Sequence, residues 1–448
     1  MEFTESLFQE TTRELLEFLN DSPTSFQAVA NMRKRLEDAG CERLLEGQRW
    51  NLEPGKGYYV TRNDSALIAF KIPKTAFAGF QIMASHSDSP ALKIKANAEI
   101  EVDKTYVKLN VEKYGGLLLA PWLDKPLSVA GRVVVRTDHG ISSRLVNVDR
   151  DLMIIPNLAI HMNRKANDGY EFNAQKDMLP LLAQSDAATA REKFCEMIAE
   201  AAGVKAEDIL DMDLFLYNRT KGTVVGLDGE FIAAPRLDDL QCAFASLNGF
   251  LKAEPTQSIA VHCVLDNEEV GSGTKQGAAS TFLKDVLHRI NSALGRSEEE
   301  YLTALASSFM VSADNAHSVH PNQPDKADPT NRPYMNKGIV IKYSANQKYT
   351  TDAVSGAIFR TMCSHSEIPV QIFHNRSDIL GGSTLGNISG NQVALNTVDI
   401  GLAQLAMHSN YETAGSRDTA YLIEAARVLF SSSVKSDGDG NVAVNFAE

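Results

Sequence analysis

The sequence predicts an α/β protein in which a domain of alternating strands and helices is interrupted by an inserted, mainly β domain. Strand-like apolar runs alternate with helical periodicity in the first and last parts of the chain. Residues 95–232 instead show period-two alternation and turns rich in Gly and Asp, which is typical of an antiparallel sheet. At 448 residues the chain is too long for one ordinary core. We therefore assign residues 1–94 and 233–448 to a discontinuous main domain and 95–232 to the insertion.

The composition is that of a soluble globular protein and restricts the classes of partner. A net charge of −13 argues against nucleic acid and anionic membranes as partners. The first residues lack the pattern of a signal peptide, and no apolar run approaches the roughly 18 residues that a membrane helix needs. The 5 cysteines are scattered without a CxxC pair, which favours reduced thiols over a disulfide framework or a Cys-based zinc site. A cytoplasmic protein is therefore expected.

The first part of the chain is predicted to form two helices. Residues 4–20 place Leu and Phe at helical spacing. A second helix follows Ser22 and Pro23, with the serine as its cap and the proline near its first turn, and it ends before Gly40.

The next informative element is an apolar strand, predicted over residues 77–84, that ends in the polar sequence SHSDSP. His86 and Asp88 are two residues apart at this strand end. A metal-binding histidine needs a partner that orients its ring, and Asp88 is placed to be that partner. As a lone motif the pair is weak, because either residue could simply belong to a polar turn.

After Pro235 the alternation of strands and helices resumes. The predicted helices are 236–252, 281–294, one that begins at Asp352, and 416–430. Asp238 and Asp239 fall in the first turn of the first of these helices, where a carboxylate is favoured by the helix dipole. Helix capping is the simplest interpretation of both residues taken alone.

The stretch 258–274 contains a close group of acidic residues that could bind a metal or carry a proton. An apolar run, 259–265, predicts a buried strand, and it breaks into Asp266, Asn267, Glu268 and Glu269 before a glycine-rich turn. Three carboxylates at a strand end are costly unless a cation collects them. Adjacent turn residues point in different directions, so Glu269 can bind a metal while Glu268 stays free to carry a proton. The alternative is a solvated acidic turn.

Similar side chains follow other elements of the main domain. In an open α/β sheet the carboxyl ends of the strands share one edge, so residues distant in sequence can converge there. Two imidazoles with three carboxylates suit two divalent ions, and zinc, cobalt or manganese fit better than copper. The candidate ligands are His86, Asp238, Glu269, Asp314 and His408.

This set of residues predicts amide hydrolysis without a covalent intermediate. Paired ions polarise a carbonyl and lower the pKa of an attacking water, and one carboxylate must bridge them. Glu268 would take the proton of that water and pass it to the leaving amine. No GxSxG, P-loop or GxGxxG motif follows a predicted strand, so acyl-enzyme and nucleotide chemistry have little support.

Seven motifs together resemble the aspartyl aminopeptidases, a family of cocatalytic zinc metallopeptidases. They occur in the family's order and approximate spacing: SHSDSP, NLAIHMNR, RLDDL, DNEEVGS, SADNAH, IKYSANQKY and LAQLAMHS. The resemblance covers nearly the whole chain. It implies a zinc-exopeptidase-like catalytic domain with a mixed central sheet flanked by helices. The chain departs from the family at residues 379–386, where eukaryotic relatives have a more polar loop, and this leaves the side-chain preference open.

The resemblance also implies how the metal ligands are shared. Asp238 would be the carboxylate that bridges the two ions. His86 and Asp314 would complete one ion's ligands, and Glu269 and His408 the other's.

The remaining roles are implied in the same way. Glu268 would be the general base, and Asp88 would orient the first ion's histidine or the metal pair. The inserted domain would be the dimerisation domain, and dimers would assemble into a tetrahedral homododecamer in which His161 reaches a neighbour's active site. The expected substrate contacts are His161, His317, Lys342 and Tyr349.

Three functions are compatible with these residues. The first is a dinuclear metal aminopeptidase that prefers acidic N-termini, with Lys342 pairing with the substrate's carboxylate. The second is a metal-dependent deacylase or amidohydrolase of small N-acyl amino acids. The third is a non-catalytic assembly or peptide-binding protein, which is disfavoured because Glu268 and the candidate ligands are all present. We predict the first.

Overall fold

The computed structural model describes residues 2–446 and has an α/β architecture built around one large mixed sheet. Over these residues the helices are α1 (Glu5–Asn20), α2 (Ser25–Asp38), α3 (Ala174–Asp177), α4 (Ala187–Ala202), α5 (Leu237–Lys252), α6 (Phe282–Ala293), α7 (Glu298–Ala306), α8 (Ala353–His365), α9 (Leu385–Ser389) and α10 (Asp418–Ser431). The strands are β1 (Glu42–Leu44), β2 (Gly57–Arg62), β3 (Ala66–Lys71), β4 (Gly79–His86), β5 (Ala91–Val102), β6 (Tyr106–Tyr114), β7 (Leu127–Thr137), β8 (Gly140–Asn147), β9 (Leu181–Ala183), β10 (Ile209–Asn218), β11 (Thr223–Val225), β12 (Phe231–Ala234), β13 (Ser258–Leu265), β14 (Phe309–Ala313), β15 (Ala316–His317), β16 (Ile339–Tyr343), β17 (Val370–His374), β18 (Asn396–Gly401), β19 (Ala403–Leu405), β20 (Glu412–Gly415), β21 (Ser433–Ser436) and β22 (Val442–Asn445).

The central sheet has nine strands in the order β1-β2-β3-β13-β4-β14-β18-β16-β17. Its four middle strands, β13, β4, β14 and β18, are parallel, so their carboxyl ends meet at one edge. Every residue of β4, β13 and β14 is buried. Such strands are covered on both faces and read as continuous apolar runs in the sequence.

Helices cover both faces of the central sheet. On one face, α5 and α10 pack over Met83 and Val264 in a core that also includes α1, α2 and α8. On the other face, α6, α7 and α9 pack over Phe80 and Ile82. The predicted fold class is confirmed.

A second sheet has six antiparallel strands in the order β8-β7-β10-β5-β6-β9 and a core of its own that includes α4. Its strands lie between residues 91 and 218. β5 begins at Ala91, four residues before the predicted start of the insertion. The division of the chain into two domains stays a prediction.

A third sheet, β11-β12-β20-β19-β15, lies beside the carboxyl edge of the central sheet. Residues 226–230 join β11 to β12, which pair as an antiparallel hairpin. β12 pairs with β20 so that Ala234 lies opposite Glu412, and the chain after β12 enters α5. This pairing brings Glu412 next to the start of α5.

One local prediction differs from the structure, and one helix was not predicted. α2 begins at Ser25 after Thr24, not after the predicted cap Ser22. The backbone N–H of Ser22 still donates to the Leu19 carbonyl at the end of α1, so this residue belongs to the turn between the helices. α7 was not predicted, although Ser297 and Glu300 form a capping box at its start.

Within residues 2–446, no helix combines the length and the apolar character needed to cross a membrane.

Candidate metal centre

The five candidate ligands converge at the carboxyl edge of the central sheet. β4 ends at His86, Asp314 directly follows β14, and Glu269 lies on a single 3-10 turn just after β13. Asp238 stands at the start of α5, and His408 follows β19. The parallel strands place His86, Glu269 and Asp314 at one edge, and α5 and the third sheet bring the other two ligands to it. Residues 86 and 408 thus meet although 322 positions separate them.

Asp238 lies between the two histidines. His86 Nε2 is 3.6 Å from Asp238 Oδ1, and His408 Nε2 is 3.5 Å from Asp238 Oδ2. Each carboxylate oxygen of Asp238 thus faces a different imidazole. His408 Nε2 is also 3.3 Å from Glu269 Oε2. This is the arrangement that a carboxylate bridging two cations requires.

Two groups of possible donor atoms share Asp238. His86, Asp238 and Glu269 place donor atoms within 4.8 Å of one another, and so do Asp238, Asp239 and Asp314. Asp239 was interpreted as a supporting or capping residue. Its Oδ2 accepts a hydrogen bond of 3.1 Å from the His86 backbone N–H, which is a supporting contact.

The buried carboxylates lack enough partners of their own. Within the described residues, Asp238 Oδ1, Asp239 Oδ1 and Glu269 Oε1 are buried without a hydrogen bond. Burial and then repulsion from Asp238 raise the pKa of Glu269 well above its ordinary value. A divalent cation would remove both costs, and imidazole nitrogens with carboxylate oxygens are ligands that zinc accepts. The residues present therefore fit a divalent metal.

Both histidines are held in the tautomer that a metal needs. His86 Nδ1 is 3.0 Å from the Asp88 carbonyl oxygen, and His408 Nδ1 is 2.9 Å from the Gly116 carbonyl oxygen. A carbonyl oxygen can only accept, so each Nδ1 carries the proton. Each Nε2 points to Asp238, and in the neutral imidazole it is the nitrogen whose lone pair an ion between them would bind.

Glu268 stands beside this cluster. Burial raises the pKa of Glu268 to about 7; the charge of His86 opposes this rise, and the nearby carboxylate of Asp314 adds to it. A carboxyl group with a pKa near neutrality is suited to accept and then return a proton.

Asp88 holds the backbone of both glutamates. Its Oδ1 accepts from the Glu268 N–H at 3.1 Å, and its Oδ2 accepts from the Glu269 N–H at 3.2 Å. Asp88 is 3% exposed, and its Oδ1 also lies 3.4 Å from His86 Nδ1. One carboxylate therefore fixes the positions of three other residues of the site.

Three of the four predicted substrate contacts lie together. The rings of His317 and Tyr349 each have centroids 6.2 Å from that of Phe373. Lys342 is 3% exposed, with its Nζ 5.4 Å from the Tyr349 ring centroid. Its Nζ donates to the Asn315 carbonyl at 3.1 Å and lies 3.8 Å from Asp314 Oδ1. Lys342 therefore supports a candidate ligand as well as lining this region.

His161 is not part of this cluster. It is exposed and lies in a run of turns that includes the hydrogen bond from Met162 N–H to the Ala159 carbonyl. Between residues 2 and 446, no hydrogen bond or ion pair joins His161 to the candidate ligands. Its role in a neighbour's site stays a prediction.

Two supporting carboxylates were missed by the sequence analysis. Glu412 is fully buried and accepts from the backbone N–H groups of Asp238 at 3.0 Å and His408 at 2.8 Å. Burial, with the nearby charge of Asp238, raises the pKa of Glu412 to about 8. Asp399 accepts from the hydroxyl groups of Thr350 and Thr384, each at 2.6 Å, and so ties the segment after Tyr349 to residues 379–386, where the chain departs from the family.

The chain matches the model of the family described as "Aminopeptidase I zinc metalloprotease (M18)" over residues 18–430. A probable M18 family aminopeptidase 2 of Clostridium novyi (strain NT) is 46% identical over 423 residues, which is 93% of this chain and 98% of that protein. A protein of the same description from Pseudomonas aeruginosa (strain UCBPP-PA14) is 44% identical over 429 residues, or 95% of this chain and 99% of the other.

Solved structures show the same similarity. The Ape4 and Nbr1 complex contains a chain with a TM-score of 0.92 and 33% identity, covering 96% of this chain and 87% of that one. The structure of a Saccharomyces mApe1, described as a dodecamer, has a TM-score of 0.82 and 27% identity, covering 94% and 96%.

Proposed function

The chain belongs to the peptidase M18 family of zinc metalloproteases and is an aminopeptidase, and on that premise we propose that it uses two divalent ions to remove acidic residues from peptide N-termini. The observation that carries the dinuclear part is the position of Asp238. Its two oxygens face two different imidazoles that are both in the metal-binding tautomer. Because each oxygen of Asp238 faces a separate imidazole, this position favours two ions, one beside each histidine, over one ion that takes both.

The proposed ligand sets share Asp238. His86 and Asp314 would hold one ion, and Glu269 and His408 the other. The chemistry that two zinc ions supply in such a site is polarisation of the scissile carbonyl and a lower pKa for the attacking water. Cobalt or manganese could occupy the same ligands. Asp239 and Glu412 would hold the backbone of His86, Asp238 and His408 in place through their hydrogen bonds.

Glu268 is proposed as the general base. It lies on the same 3-10 turn as Glu269, so one turn presents a ligand and a proton carrier side by side. It would accept a proton from the attacking water and donate it to the leaving amine, which leaves as the shortened peptide. Asp88 would hold both glutamates in place through the two backbone hydrogen bonds that it accepts.

The acidic preference is proposed to come from Lys342. An ammonium group has three donors, and two directions are taken by the Asn315 carbonyl and the Asp314 carboxylate. Burial by itself lowers the pKa of Lys342, but Asp314 and other acidic neighbours raise it above its ordinary value, so the charge is retained. The third donor is proposed to bind the carboxylate of an N-terminal Asp or Glu, with His317 and Tyr349 beside it.

Self-association is proposed to complete the site. The segment that carries His161 exposes several apolar side chains: Leu158 at 55%, Ile160 at 49% and Met162 at 75%. A surface of this kind favours burial against another chain. A similar solved protein is described as a dodecamer, which supports a homododecamer built from dimers for this chain too. His161 would then approach the active site of a neighbouring subunit.

The first test is hydrolysis of peptides that begin with Asp, Glu, Leu or Lys, together with N-acetyl-Asp. Release of Asp and Glu is expected to stop on chelation and to return with zinc, and metal analysis is expected to find about two ions per chain. Release of Leu alone would remove the acidic preference but keep the aminopeptidase. A preference for the acetylated substrate would instead favour a deacylase, and about one ion per chain would contradict the dinuclear site.

Replacing Lys342 with methionine tests the specificity. Loss of a charged hydrogen bond is worth about 1.5–3 kcal/mol, so the ratio of kcat/KM for Asp over Leu substrates is expected to fall roughly 10- to 100-fold. The ratio is the relevant quantity, because Lys342 also supports Asp314 and its loss should slow every substrate. Lys348→Met, at an exposed lysine, is the matched control. An unchanged ratio in Lys342→Met would refute the pocket assignment.

A further inference from the structure

The six-stranded antiparallel sheet is here named the inserted sheet, because its strands lie in sequence between β4 and β13 of the central sheet. One of its turns passes over the candidate metal centre of the same chain. β6 ends at Tyr114, and residues 114–118, here named the 114–118 turn, pass beside the cluster. The Tyr114 hydroxyl donates to Asp88 Oδ2 at 2.7 Å and accepts from Asn267 Nδ2 at 2.7 Å. At the other end of the turn, the Leu118 N–H donates to the His408 carbonyl at 3.0 Å.

Tyr114 contacts the residue that organises the site. Asp88 accepts hydrogen bonds from the backbone of Glu268 and Glu269, so any rotation of its carboxylate would move both glutamates. The phenol donates a side-chain hydrogen bond that opposes such a rotation. Its ring is held in turn by an edge contact with Phe215, with centroids 5.5 Å apart.

The turn also approaches the site through two glycines. Gly115 has a φ of +78°, and a Cβ at this position would lie 3.1 Å from Glu269 Cβ and 3.3 Å from the Glu269 carbonyl oxygen. The next carbonyl, that of Gly116, accepts from His408 Nδ1 at 2.9 Å. A side chain at position 115 would therefore press on Glu269 next to the point where the turn reaches His408.

We propose that the 114–118 turn is a positioning element of the metal centre, through which the inserted sheet orders the metal ligands of the same chain. Tyr114 orients Asp88, and the Gly116 carbonyl selects the tautomer of His408 that directs Nε2 at the metal. This inference rests on the metal centre proposed above. It gives the insertion a role within its own subunit, independent of any contact between subunits.

The phenol is tested with Tyr114→Phe, which keeps the ring and removes the donor. Loss of such a supporting hydrogen bond is expected to weaken zinc binding about 10- to 100-fold, measured on the purified full-length protein by competition with a chromogenic chelator. With excess zinc, KM is expected to stay unchanged while kcat falls. Tyr59→Phe is the matched control, because the Tyr59 hydroxyl also donates to a carboxylate, that of Glu37, away from the site. Equal zinc affinity in both variants would overturn the role of Tyr114.

The glycine turn is tested separately with Gly115→Ala. The matched control is Gly203→Ala, at a glycine that also has a positive φ, +66°, but where an added Cβ would have no atom within 4 Å. Both substitutions place an alanine at a positive φ and so introduce the same kind of backbone strain. Only Gly115→Ala also places a Cβ against Glu269, so a loss of zinc affinity in this variant alone reports the displacement of Glu269. Equal affinity in the two would overturn the role of the turn. A wild-type protein that binds no zinc would instead refute the proposed function, so the two failures are distinguishable.

Discussion

Replacing Glu268 with glutamine is expected to lower kcat by about 10²- to 10⁴-fold, the contribution typical of a positioned general base. Glutamine keeps the size and the hydrogen-bonding shape of the side chain but cannot accept the proton. The backbone N–H of residue 268 still donates to Asp88 in the variant, so the 3-10 turn that carries Glu269 is expected to persist. KM and zinc content should therefore stay close to those of the wild type.

The decisive comparison is between kcat and bound metal, measured on the same preparation. Glu299→Gln removes the same charge from an exposed position on α7 and serves as the control. A Glu268→Gln variant with kcat within a few-fold of the wild type would refute the assigned role. Loss of zinc together with kcat would instead show that residue 268 supports the ligands, as its neighbour Glu269 is proposed to do.

The candidate ligands could be predicted from sequence because each one lies at or near one end of a regular element. An apolar strand that stops at His86, or just before Asp314, is visible in the residue pattern, and parallel strands bring such ends to one edge. The same logic located Asp238 at a helix start, although the pattern alone could not separate a ligand from a cap. The division of the ligands between two ions came from the resemblance to a known family.

The supporting residues could not be predicted because their partners are backbone groups that are distant in sequence. Glu412 accepts a hydrogen bond from the backbone N–H of Asp238, 174 positions away. Neither the residue types nor their spacing in the sequence predicts this contact. Tyr114 ends a strand of the inserted sheet and was predicted only as part of that sheet. Its contact with Asp88 depends on how two separate sheets dock, which periodicity does not encode.

Lys342 shows a different limit of sequence reasoning. The pattern places it on a strand near the site, and the resemblance makes it a substrate contact. The structure adds that its ammonium group already contacts Asp314 and the Asn315 carbonyl. A buried charge needs such partners whether or not substrate is present. A substitution of Lys342 is therefore expected to change both the preference for acidic substrates and the position of Asp314, a candidate metal ligand.

Glu269→Gln is expected to remove the second proposed ion and lower kcat by roughly 10³-fold, since metal polarisation of this kind is worth several kcal/mol. The change deletes a carboxylate that faces His408 Nε2 at 3.3 Å and leaves an amide in its place. Zinc content is expected to fall from about two ions per chain to about one. Retention of both ions would contradict the ligand role of Glu269.

The same substitution is expected to stabilise the protein once metal is stripped. In the metal-free fold, Glu269 is a buried carboxylate close to Asp238, with one oxygen that has no hydrogen-bond partner among the described residues. Burial and the nearby Asp238 raise the pKa of Glu269, so at neutral pH folding of the stripped protein requires this carboxylate to take up a proton, which costs stability. Glutamine removes that cost, so the thermal midpoint of stripped Glu269→Gln should exceed that of the stripped wild type. Zinc should then raise the midpoint of the wild type far more than that of the variant, because binding energy adds to folding stability only where ligands are intact. Lower stability of the stripped variant would mean that Glu269 holds His408 in the metal-free fold and is stabilising without an ion.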